Sequence, residues 1–299
     1  VLVVAAWIFL TVKGIDLNRF TLACAGICVV STVVELRAMP AAVPDGARIV
    51  LADGIYDFSA LPVEEKDPPY LHFKAKVEVV SASGDPSRCV LSGPGETKSG
   101  RCLAFDRGDS RLEGITISNF FVKGSSAAVL PSVWSDSTWY TNCVFAACHA
   151  TDRGGAISRA AAPGGRVICA DCTFIDCASD ASGGALASAA TVDASGCRFI
   201  RCRAGNGDGG AGSRMLPRPK KSRASECSAK GRGGAGGGAA VSYGETRDCV
   251  FERCVEHGYA ILRNSTATHC AFVDCVGANG FSQRFEDCVF KRSGGALNS

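Results

Sequence analysis

The sequence predicts an all-β fold in which the chain winds repeatedly on itself as a β-solenoid of about ten coils, closed at its N-terminal end by a short capping helix. Three observations predict it. A six-residue unit of the form C-x-F-x-x-C recurs along the second half of the chain, a Gly-Gly-Ala tripeptide follows most copies, and turn signals are frequent while no helical pattern of useful length follows Met39. Repeats of about 20 to 30 residues with these features are typical of solenoids.

The composition is that of an ordinary folded protein, with 299 residues of which 46% are hydrophobic. The 32 basic and 29 acidic residues leave a net charge of +3, which is too small to indicate nucleic acid as a partner. Seventeen cysteines are many for a reducing cytosol and favour a protein that is secreted or held at the cell surface.

The segment 1–31 is predicted as an apolar N-terminal unit separate from the solenoid, which is expected to occupy residues 32–299. Its apolar runs are shorter than the ~20 residues that a membrane-spanning helix needs. Two interpretations stay open: the remnant of a signal or anchor sequence, or a buried strand and cap. Membrane association is expected only through this segment.

The solenoid begins with a predicted amphipathic helix over Val33–Met39, which Pro40 and Pro44 are expected to end. Ala47–Tyr56 then has the pattern strand, turn, strand. Four further strands are predicted between Gly- and Pro-rich turns, at residues 71–80, 88–91, 102–105 and 112–121.

The repeated cores define the interior of the predicted solenoid. Side chains alternate across a strand, so the first cysteine and the phenylalanine of each core lie on one face and are expected to form stacked columns inside the coil. A degenerate copy near Ala224–Cys227 fills the longest gap between cores. The residues concerned are Cys143, Cys172, Cys197, Cys249, Cys270 and Cys288, with Phe145, Phe174, Phe199, Phe251, Phe272 and Phe290.

Two states of the cysteines are compatible with this arrangement. Buried cysteines often pack as small hydrophobic groups with free thiols. Stacked coils lie about 4.8 Å apart, which is also near the Cα separation that a disulfide allows. The sequence favours free thiols and leaves the disulfide alternative open.

Three stretches carry a resemblance to known proteins. Glu35-Leu36-Arg37-Ala38 followed by Asp45–Tyr56 resembles the N-terminal end of right-handed parallel β-helix proteins, and Leu112–Phe120 resembles one of their rungs. The Gly-Gly-Ala and F-x-x motifs resemble the repeats of polymorphic outer-membrane proteins and adhesins, although cysteine stands here where those repeats carry asparagine. The resemblance implies a parallel, right-handed coil and an adhesin-like role, and it specifies fold better than function.

Carbohydrate-active β-helices of the pectate-lyase type imply a different role for the same fold. Such enzymes use paired acids, or Ca²⁺ held by carboxylates with a basic residue. Their N-T-D, D-D, G-H-G and R-I-K signatures do not occur in this chain. The remaining catalytic candidates are polar residues that precede core cysteines and are expected to form one outward column, namely Glu226, Asp248, His269 and Asp287; a merely solvated column is the alternative.

Metal and cofactor binding receive little support from the sequence. Cys169-Ala170-Asp171-Cys172 has the C-x-x-C spacing of a zinc ligand pair, but no second pair follows at a matching distance. No metal or cofactor is therefore expected, apart from Ca²⁺ under the lyase alternative.

The segment 203–238 is rich in glycine and basic residues and is predicted to leave the coil as a loop insertion. Its cations are expected to contact an acidic polysaccharide or a phosphate, and a solvated insertion without a ligand is the alternative. The candidate binding residues are Arg214, Arg218, Lys220, Lys221, Arg223, Lys230 and Arg232.

Taken together, the residues predict a non-catalytic, extracellular or cell-surface protein that presents an extended surface to glycans or other macromolecules. A polysaccharide lyase or glycoside hydrolase is the second possibility, and a passive surface spacer is the third. The sequence does not indicate an oligomeric state.

Overall fold

A computed structural model describes most of the chain after the first 25 residues. The described residues are 26–61, 69–132, 137–159, 165–188, 191–207, 209–213, 221–229, 241–256, 262–276 and 284–293. Most of the predicted N-terminal unit 1–31 therefore lies outside the described residues.

The described chain consists of one helix, α1 (Val33–Ala42), a 3₁₀ turn at Gly95–Thr97 and thirty-two strands. The first strands are β1 (Ile27–Val30), β2 (Ala47–Leu51), β3 (Gly54–Asp57), β4 (Pro69–Phe73), β5 (Val77–Ser81), β6 (Cys89–Ser92), β7 (Arg101–Phe105) and β8 (Ser110–Glu113). They are followed by β9 (Thr116–Ser118), β10 (Phe121–Val122), β11 (Val129–Leu130), β12 (Thr138–Thr141), β13 (Val144–Ala146), β14 (His149–Ala150), β15 (Ile157–Arg159) and β16 (Arg166–Ala170). Next come β17 (Thr173–Ile175), β18 (Ala178–Ser179), β19 (Leu186–Ser188), β20 (Thr191–Ser195), β21 (Arg198–Ile200), β22 (Arg203–Ala204), β23 (Gly212–Ser213) and β24 (Arg223–Ser225). The last are β25 (Ser228–Ala229), β26 (Val241–Arg247), β27 (Val250–Glu252), β28 (Val255–Glu256), β29 (Leu262–Thr268), β30 (Ala271–Val273), β31 (Arg284–Glu286) and β32 (Val289–Lys291).

These strands form four parallel sheets that run along the sides of one solenoid. Sheet 1 has the order β1-β2-β5-β8-β12-β16-β20, and sheet 2 the order β3-β6-β9-β13-β17-β21-β24-β27-β30-β32. Sheet 3 is β10-β14-β18-β22-β25-β28, and sheet 4 is β31-β29-β26-β23-β19-β15-β11-β7-β4. Each strand pairs with its counterpart in the next coil, so the predicted all-β, right-handed parallel β-helix is confirmed.

The number of coils needs a correction. The prediction of about ten matches the ten strands of sheet 2, but sheet 3 has only six, and about six turns are complete. Among the described residues, sheet 3 begins at Phe121.

Helix α1 covers the N-terminal end of the coil, as predicted. Thr32 and Glu35 form a capping box, in which the Glu35 amide donates to Thr32 Oγ1 at 3.2 Å and the Thr32 amide donates to Glu35 Oε2 at 3.2 Å. Leu36 and Met39 are the buried side chains of α1. Among the described residues no helix is long and apolar enough to cross a membrane.

Of the two prolines predicted to end this helix, Pro44 does so and Pro40 does not. Pro40 lies inside α1, and the Val43 amide still donates to the Met39 carbonyl at 3.0 Å. A proline in the last turn removes only one intrahelical hydrogen bond. The helix instead ends before Pro44, which disfavours helical geometry at Val43.

Two of the predicted strands are each divided by a corner of the solenoid. Residues 71–80 contribute to β4 in sheet 4 and to β5 in sheet 1, and residues 112–121 contribute to β8, β9 and β10. A continuous apolar run does not show where the chain turns, because the corners here also bury apolar side chains.

Sheet 2 positions five of the six core phenylalanines in the interior, as predicted, whereas Phe290 in the last described strand is 38% exposed. The rings of Phe145 and Phe174 stack with centroids 4.9 Å apart, and those of Phe174 and Phe199 are 5.0 Å apart. A second stack joins Phe251, Phe272 and Phe290. Ala224 occupies this position in the coil between them, so the predicted single column of six rings is two stacks of three.

The cysteines form two interior columns beside these rings. The first thiol ladder consists of Cys143, Cys172, Cys197, Cys249, Cys270 and Cys288, with Ser222 in the place of a cysteine between the third and fourth. The second thiol ladder consists of Cys148, Cys177, Cys202, Cys227, Cys254 and Cys275, followed by Ser293. All sixteen described cysteines are reduced thiols, and all but the half-buried Cys288 are buried. The favoured alternative of free thiols is the one found.

Each ladder thiol donates to backbone carbonyls at the corner that it follows. Cys177 Sγ lies 3.3 Å from the carbonyl oxygen of Phe145 in the preceding coil and 3.6 Å from that of Ile175. Ser293 Oγ makes the equivalent contacts to Phe272 and Lys291 at 3.1 and 3.3 Å. The thiols therefore act as small buried donors as well as apolar filling.

Replacing Phe174 by alanine should destabilise the fold by about 3–5 kcal/mol, because the ring is fully buried between two others and its loss leaves a cavity. Chemical denaturation monitored by circular dichroism would measure the change. Ile175→Ala is the matched control, since this half-buried neighbour faces outward. Equal losses for the two variants would contradict the interior ring stack.

Candidate functional site

Two corners of the coil place polar side chains on the surface in regular columns. The residue before each ladder cysteine adopts a left-handed backbone conformation, with φ between 46° and 60° for all the non-glycine residues at these positions. The first corner, between sheets 1 and 2, carries Asn142, Asp171, Gly196, Lys221, Asp248, His269 and Asp287. The second corner, between sheets 2 and 3, carries Asn119, Ala147, Asp176, Arg201, Glu226, Arg253, Asp274 and Arg292.

Three of the four predicted catalytic candidates meet at the first corner. His269 Nδ1 lies 3.6 Å from Asp248 Oδ1, and His269 Nε2 lies 3.4 Å from Asp287 Oδ2. All three side chains are exposed, with 80% of the Asp287 side chain accessible. The separations are those of loose ion pairs in water, which is an ordinary arrangement for an exposed column.

Glu226, the fourth candidate, belongs to the other column, so its predicted placement is wrong. Ala224 pairs with Phe199 and Phe251, so the degenerate core runs from Ser222 to Cys227 and retains only its second cysteine. Glu226 therefore lies at the second corner, where Arg253 Nη2 donates to its Oε1 at 2.9 Å. The degenerate core contains a single cysteine, Cys227. Only the strand register shows that it corresponds to the second cysteine of the other cores and not to the first.

The second corner alternates in charge from one coil to the next. Arg201 makes two hydrogen bonds to Asp176, both of 2.7 Å, and Arg292 Nη2 donates to Asp274 at 2.8 Å. The bonds from Arg201 lower the pKa of the Asp176 carboxyl, and those from Arg292 lower the pKa of Asp274. Acid and base thus compensate each other along this edge.

A different pattern occurs on the outer face of sheet 2. Arg198 and Arg223 occupy the same position in adjacent strands, and Lys221 lies at the first corner beside them. We call Arg198, Lys221 and Arg223 the basic strip. All three are exposed, and the column that holds the two arginines otherwise carries apolar or small residues such as Val144, Thr173 and Val250.

The arginines of the basic strip are held apart by their partners. Arg198 reaches to the preceding coil, where its Nη2 donates to Thr173 Oγ1 at 3.2 Å. Arg223 reaches to the following coil and pairs with Glu252, which also accepts from Arg253. The two guanidinium groups therefore point away from each other and spread over four strands of the sheet.

Part of the predicted basic loop belongs to the coil. Within the predicted insertion 203–238, residues 203–207, 209–213 and 221–229 lie in the coil and contribute β22, β23, β24 and β25. Lys221 and Arg223 are thus fixed in the solenoid, contrary to the prediction. The other candidates lie outside the described residues, namely Arg214, Arg218, Lys220, Lys230 and Arg232. Arg198 is not among the predicted binding residues, because the sequence gives uncharged residues such as Val144, Thr173 and Val250 at the same position of other cores.

A histidine cluster on sheet 3 was not predicted. His149 Nδ1 lies 3.0 Å from Glu96 Oε1, and its Nε2 lies 2.9 Å from Asp180 Oδ1, while its ring packs against Phe121 at 5.3 Å. Partial burial lowers the pKa of His149, but the hydrogen bonds and charges of Asp180 and Glu96 outweigh that effect and raise the pKa above its ordinary value. In sequence the three residues are far apart, and only coiling brings them together.

Among the residues that the structure describes, no group of three or more His, Cys, Asp or Glu side chains is arranged to hold a metal ion. Cys169 and Cys172, the C-x-x-C pair, are both buried in the interior. A shallow groove near the end of α1 is lined by His72, Lys74 and Arg107, and His72 Nε2 lies 2.6 Å from Asp106 Oδ1.

Comparison with known proteins gave structural likenesses only. No protein-family model matches the chain, and no curated protein matches it. A mannuronic acid specific polysaccharide family 6 lyase from human gut microbiota is similar with 13% identity and a TM-score of 0.39, over 88% of this chain and 59% of that one. An alginate lyase from Paenibacillus sp. str. FPU-7 gives 12% identity and a TM-score of 0.32, over 89% of this chain and 97% of that one.

The A-module of mannuronan C-5 epimerase AlgE4 from Azotobacter vinelandii is similar with 12% identity and a TM-score of 0.29. That match covers 90% of this chain and 98% of the module. With respect to the family 6 lyase structure described above, the chain spans about three fifths of its length. The fold assignment rests on the sheet topology of the chain itself.

The stability of the fold should depend on pH through His149. Because its folded-state pKa is raised above the unfolded value of about 6.5, its contribution is fully present below that pH and is lost as the pH rises through the folded-state pKa. Thermal unfolding of the wild type and His149→Gln between pH 5.5 and 9 would measure this. The variant should lose part of the pH dependence, and identical profiles for the two proteins would refute the role of His149.

Proposed function

We propose that this protein binds an anionic polysaccharide along the outer face of sheet 2, with the basic strip as its main contact. One observation carries the proposal: Arg198 and Arg223 occupy paired positions of adjacent strands and Lys221 lies at the adjoining corner, so three exposed cations share one side of the coil. Arg198 donates to the neutral Thr173, and Glu252, the acidic partner of Arg223, is shared with Arg253, so the basic strip keeps positive charge that an anionic ligand would offset.

The second corner provides the internal contrast. There the chain places an acid opposite each base in Asp176–Arg201 and Asp274–Arg292. The same solenoid therefore neutralises charge where it is only structural. Arg198 of the basic strip departs from this pattern because it donates to the neutral Thr173. Sheet 2, which carries the strip, has ten described parallel strands, and at about 4.8 Å each they extend for roughly 45 Å.

A linear polymer suits such a surface better than a small molecule. The cations of the basic strip are distributed over successive coils, so a chain of repeated carboxylates or sulfates can contact several of them at once. Each exposed contact is weak, and repetition along the polymer supplies the affinity. Lys220, one of the sequence-predicted binding residues, directly precedes Lys221 in the chain.

We favour binding without catalysis and a place outside the cell, where such polysaccharides occur. The column Asp248, His269 and Asp287 is exposed and loosely spaced, and Glu226 is paired with Arg253. The second candidate function is a polysaccharide lyase or hydrolase, for which that column is the acid and base set. A passive surface spacer would use neither surface.

The double variant Arg198→Gln/Arg223→Gln should bind polygalacturonate or a sulfated glycan about fivefold more weakly than the wild type. Exposed charge pairs contribute about 0.2–1 kcal/mol each, and 1.4 kcal/mol corresponds to tenfold in affinity. Isothermal titration calorimetry at low and moderate salt would measure the change, and salt should weaken wild-type binding more than variant binding.

The matched control for that variant is Asp176→Asn/Arg201→Gln, which alters the neighbouring corner and leaves the net charge unchanged. It should bind like the wild type. Equal loss in both double variants, or no binding by the wild type to any polyanion, would contradict the proposal and leave the spacer interpretation.

The enzymatic alternative predicts that the wild type releases reducing ends or unsaturated products from polyuronates and that Asp248→Asn abolishes this release. We expect no release from either protein. Product formation by the wild type that is lost in the variant would overturn the non-catalytic proposal, even if the basic strip binds the polymer.

A further inference from the structure

The second thiol ladder is an unbroken column of six cysteines in consecutive coils. Backbone hydrogen bonds hold it in register, because the residue that follows each cysteine donates its amide to the cysteine carbonyl of the preceding coil. Ala178 N lies 2.9 Å from Cys148 O, and Arg203 N lies 2.9 Å from Cys177 O. The same bond repeats down the column at 3.0 Å from Ser228, Val255 and Val276 to Cys202, Cys227 and Cys254.

This register places neighbouring cysteines at the separation that a disulfide requires. Parallel strands lie about 4.8 Å apart, and disulfides span Cα separations of about 4.4 to 6.8 Å. Cys148, Cys177 and Cys202 lie in successive coils of this register and are all fully buried. Bridging two neighbours therefore needs side-chain rotation and little movement of the backbone.

We propose that the second thiol ladder is a site of disulfide formation, in which a low-molecular-weight disulfide oxidises it to three bridges: Cys148–Cys177, Cys202–Cys227 and Cys254–Cys275. In each step a protein thiolate attacks one sulfur of the small disulfide and releases one small thiol. The neighbouring protein thiolate then attacks the mixed disulfide, forms the protein S–S bond and releases the second small thiol. The two protons of the protein thiols end on the two small thiols.

The number of cysteines selects this pairing. Six thiols in an unbroken row can all be paired only in the register that begins at Cys148. The shifted register, with Cys177–Cys202 and Cys227–Cys254, leaves both ends of the row unpaired. Ser222 divides the first thiol ladder into two runs of three, so each run would retain an odd thiol.

The structure loses little when these thiols become disulfides. Oxidation removes the S–H donors that reach carbonyls at the corner, but those carbonyls keep backbone partners. The Ile175 carbonyl still accepts from Ala147 N at 2.9 Å, and the Ala146 carbonyl from Asn119 N at 3.0 Å. Because the thiols are buried and burial raises the pKa of Cys202, exchange is expected to be faster during folding than in the folded coil.

The test compares two oxidation regimes with oxidised glutathione. One sample of the reduced protein is oxidised while folded, and another is refolded from denaturant in the same reagent. Remaining thiols are then alkylated, and cross-linked peptides are identified by mass spectrometry after proteolysis. The expected result is the three named bridges, which should form faster in the refolded sample than in the sample oxidised while folded. The oxidised protein should also have a higher thermal midpoint than the reduced protein.

Two serine variants make the pairing falsifiable, since serine keeps the carbonyl contact as Ser293 does. Cys177→Ser should leave Cys148 alkylated while the other two bridges form, and Cys254→Ser should do the same to Cys275. Cys102→Ser, outside both ladders, should leave all three bridges intact. The shifted register, scrambled cross-links, or six alkylated ladder thiols in both regimes would overturn the proposal.

Discussion

The in-register backbone ladder between successive coils is the interaction on which the rest of this structure depends. It pairs each strand of a sheet with its counterpart one coil away, so every position of the repeat becomes a column with a spacing of about 4.8 Å. The phenylalanine stacks, the thiol ladders and the charged corners are three results of that one constraint. A slip by one residue would exchange the inner and outer faces, so the buried rings and thiols in turn hold the register.

The corners show how the chain tolerates an unfavourable conformation. A left-handed backbone costs a residue with a side chain about 1–2 kcal/mol relative to its usual conformation, yet Ala147, Arg201 and Arg253 all adopt it. Backbone bonds such as Asp176 N to Ile200 O at 2.9 Å offset that cost. The turn before β15 requires glycine for a further reason, because a Cβ at Gly154 would collide with the Ile157 carbonyl.

Since the corner residues project outward, their identity is free to vary with function. At the second corner the side chains form compensated ion pairs, which suit a structural edge. On the neighbouring face the arginines of adjacent coils coincide, which suits a polyanionic ligand. The cysteines that follow the corner residues in sequence are buried in the interior. The redox state of the second thiol ladder and the binding of a glycan on the outer face of sheet 2 are therefore expected to be independent properties.

The sequence alone determined the coil, its repeat and its interior, because a residue type kept at one position is visible as a period and each core carries its own alternation of inner and outer side chains. It did not determine the turns within continuous apolar runs such as 71–80, nor the correct column of Glu226, since one cysteine in a degenerate core matches either of two positions. Tertiary structure decided these points. Strand pairing between coils aligned Ala224 with Phe199 and Phe251, and it brought together Glu96, His149 and Asp180, whose separation along the chain gives no local signal of contact.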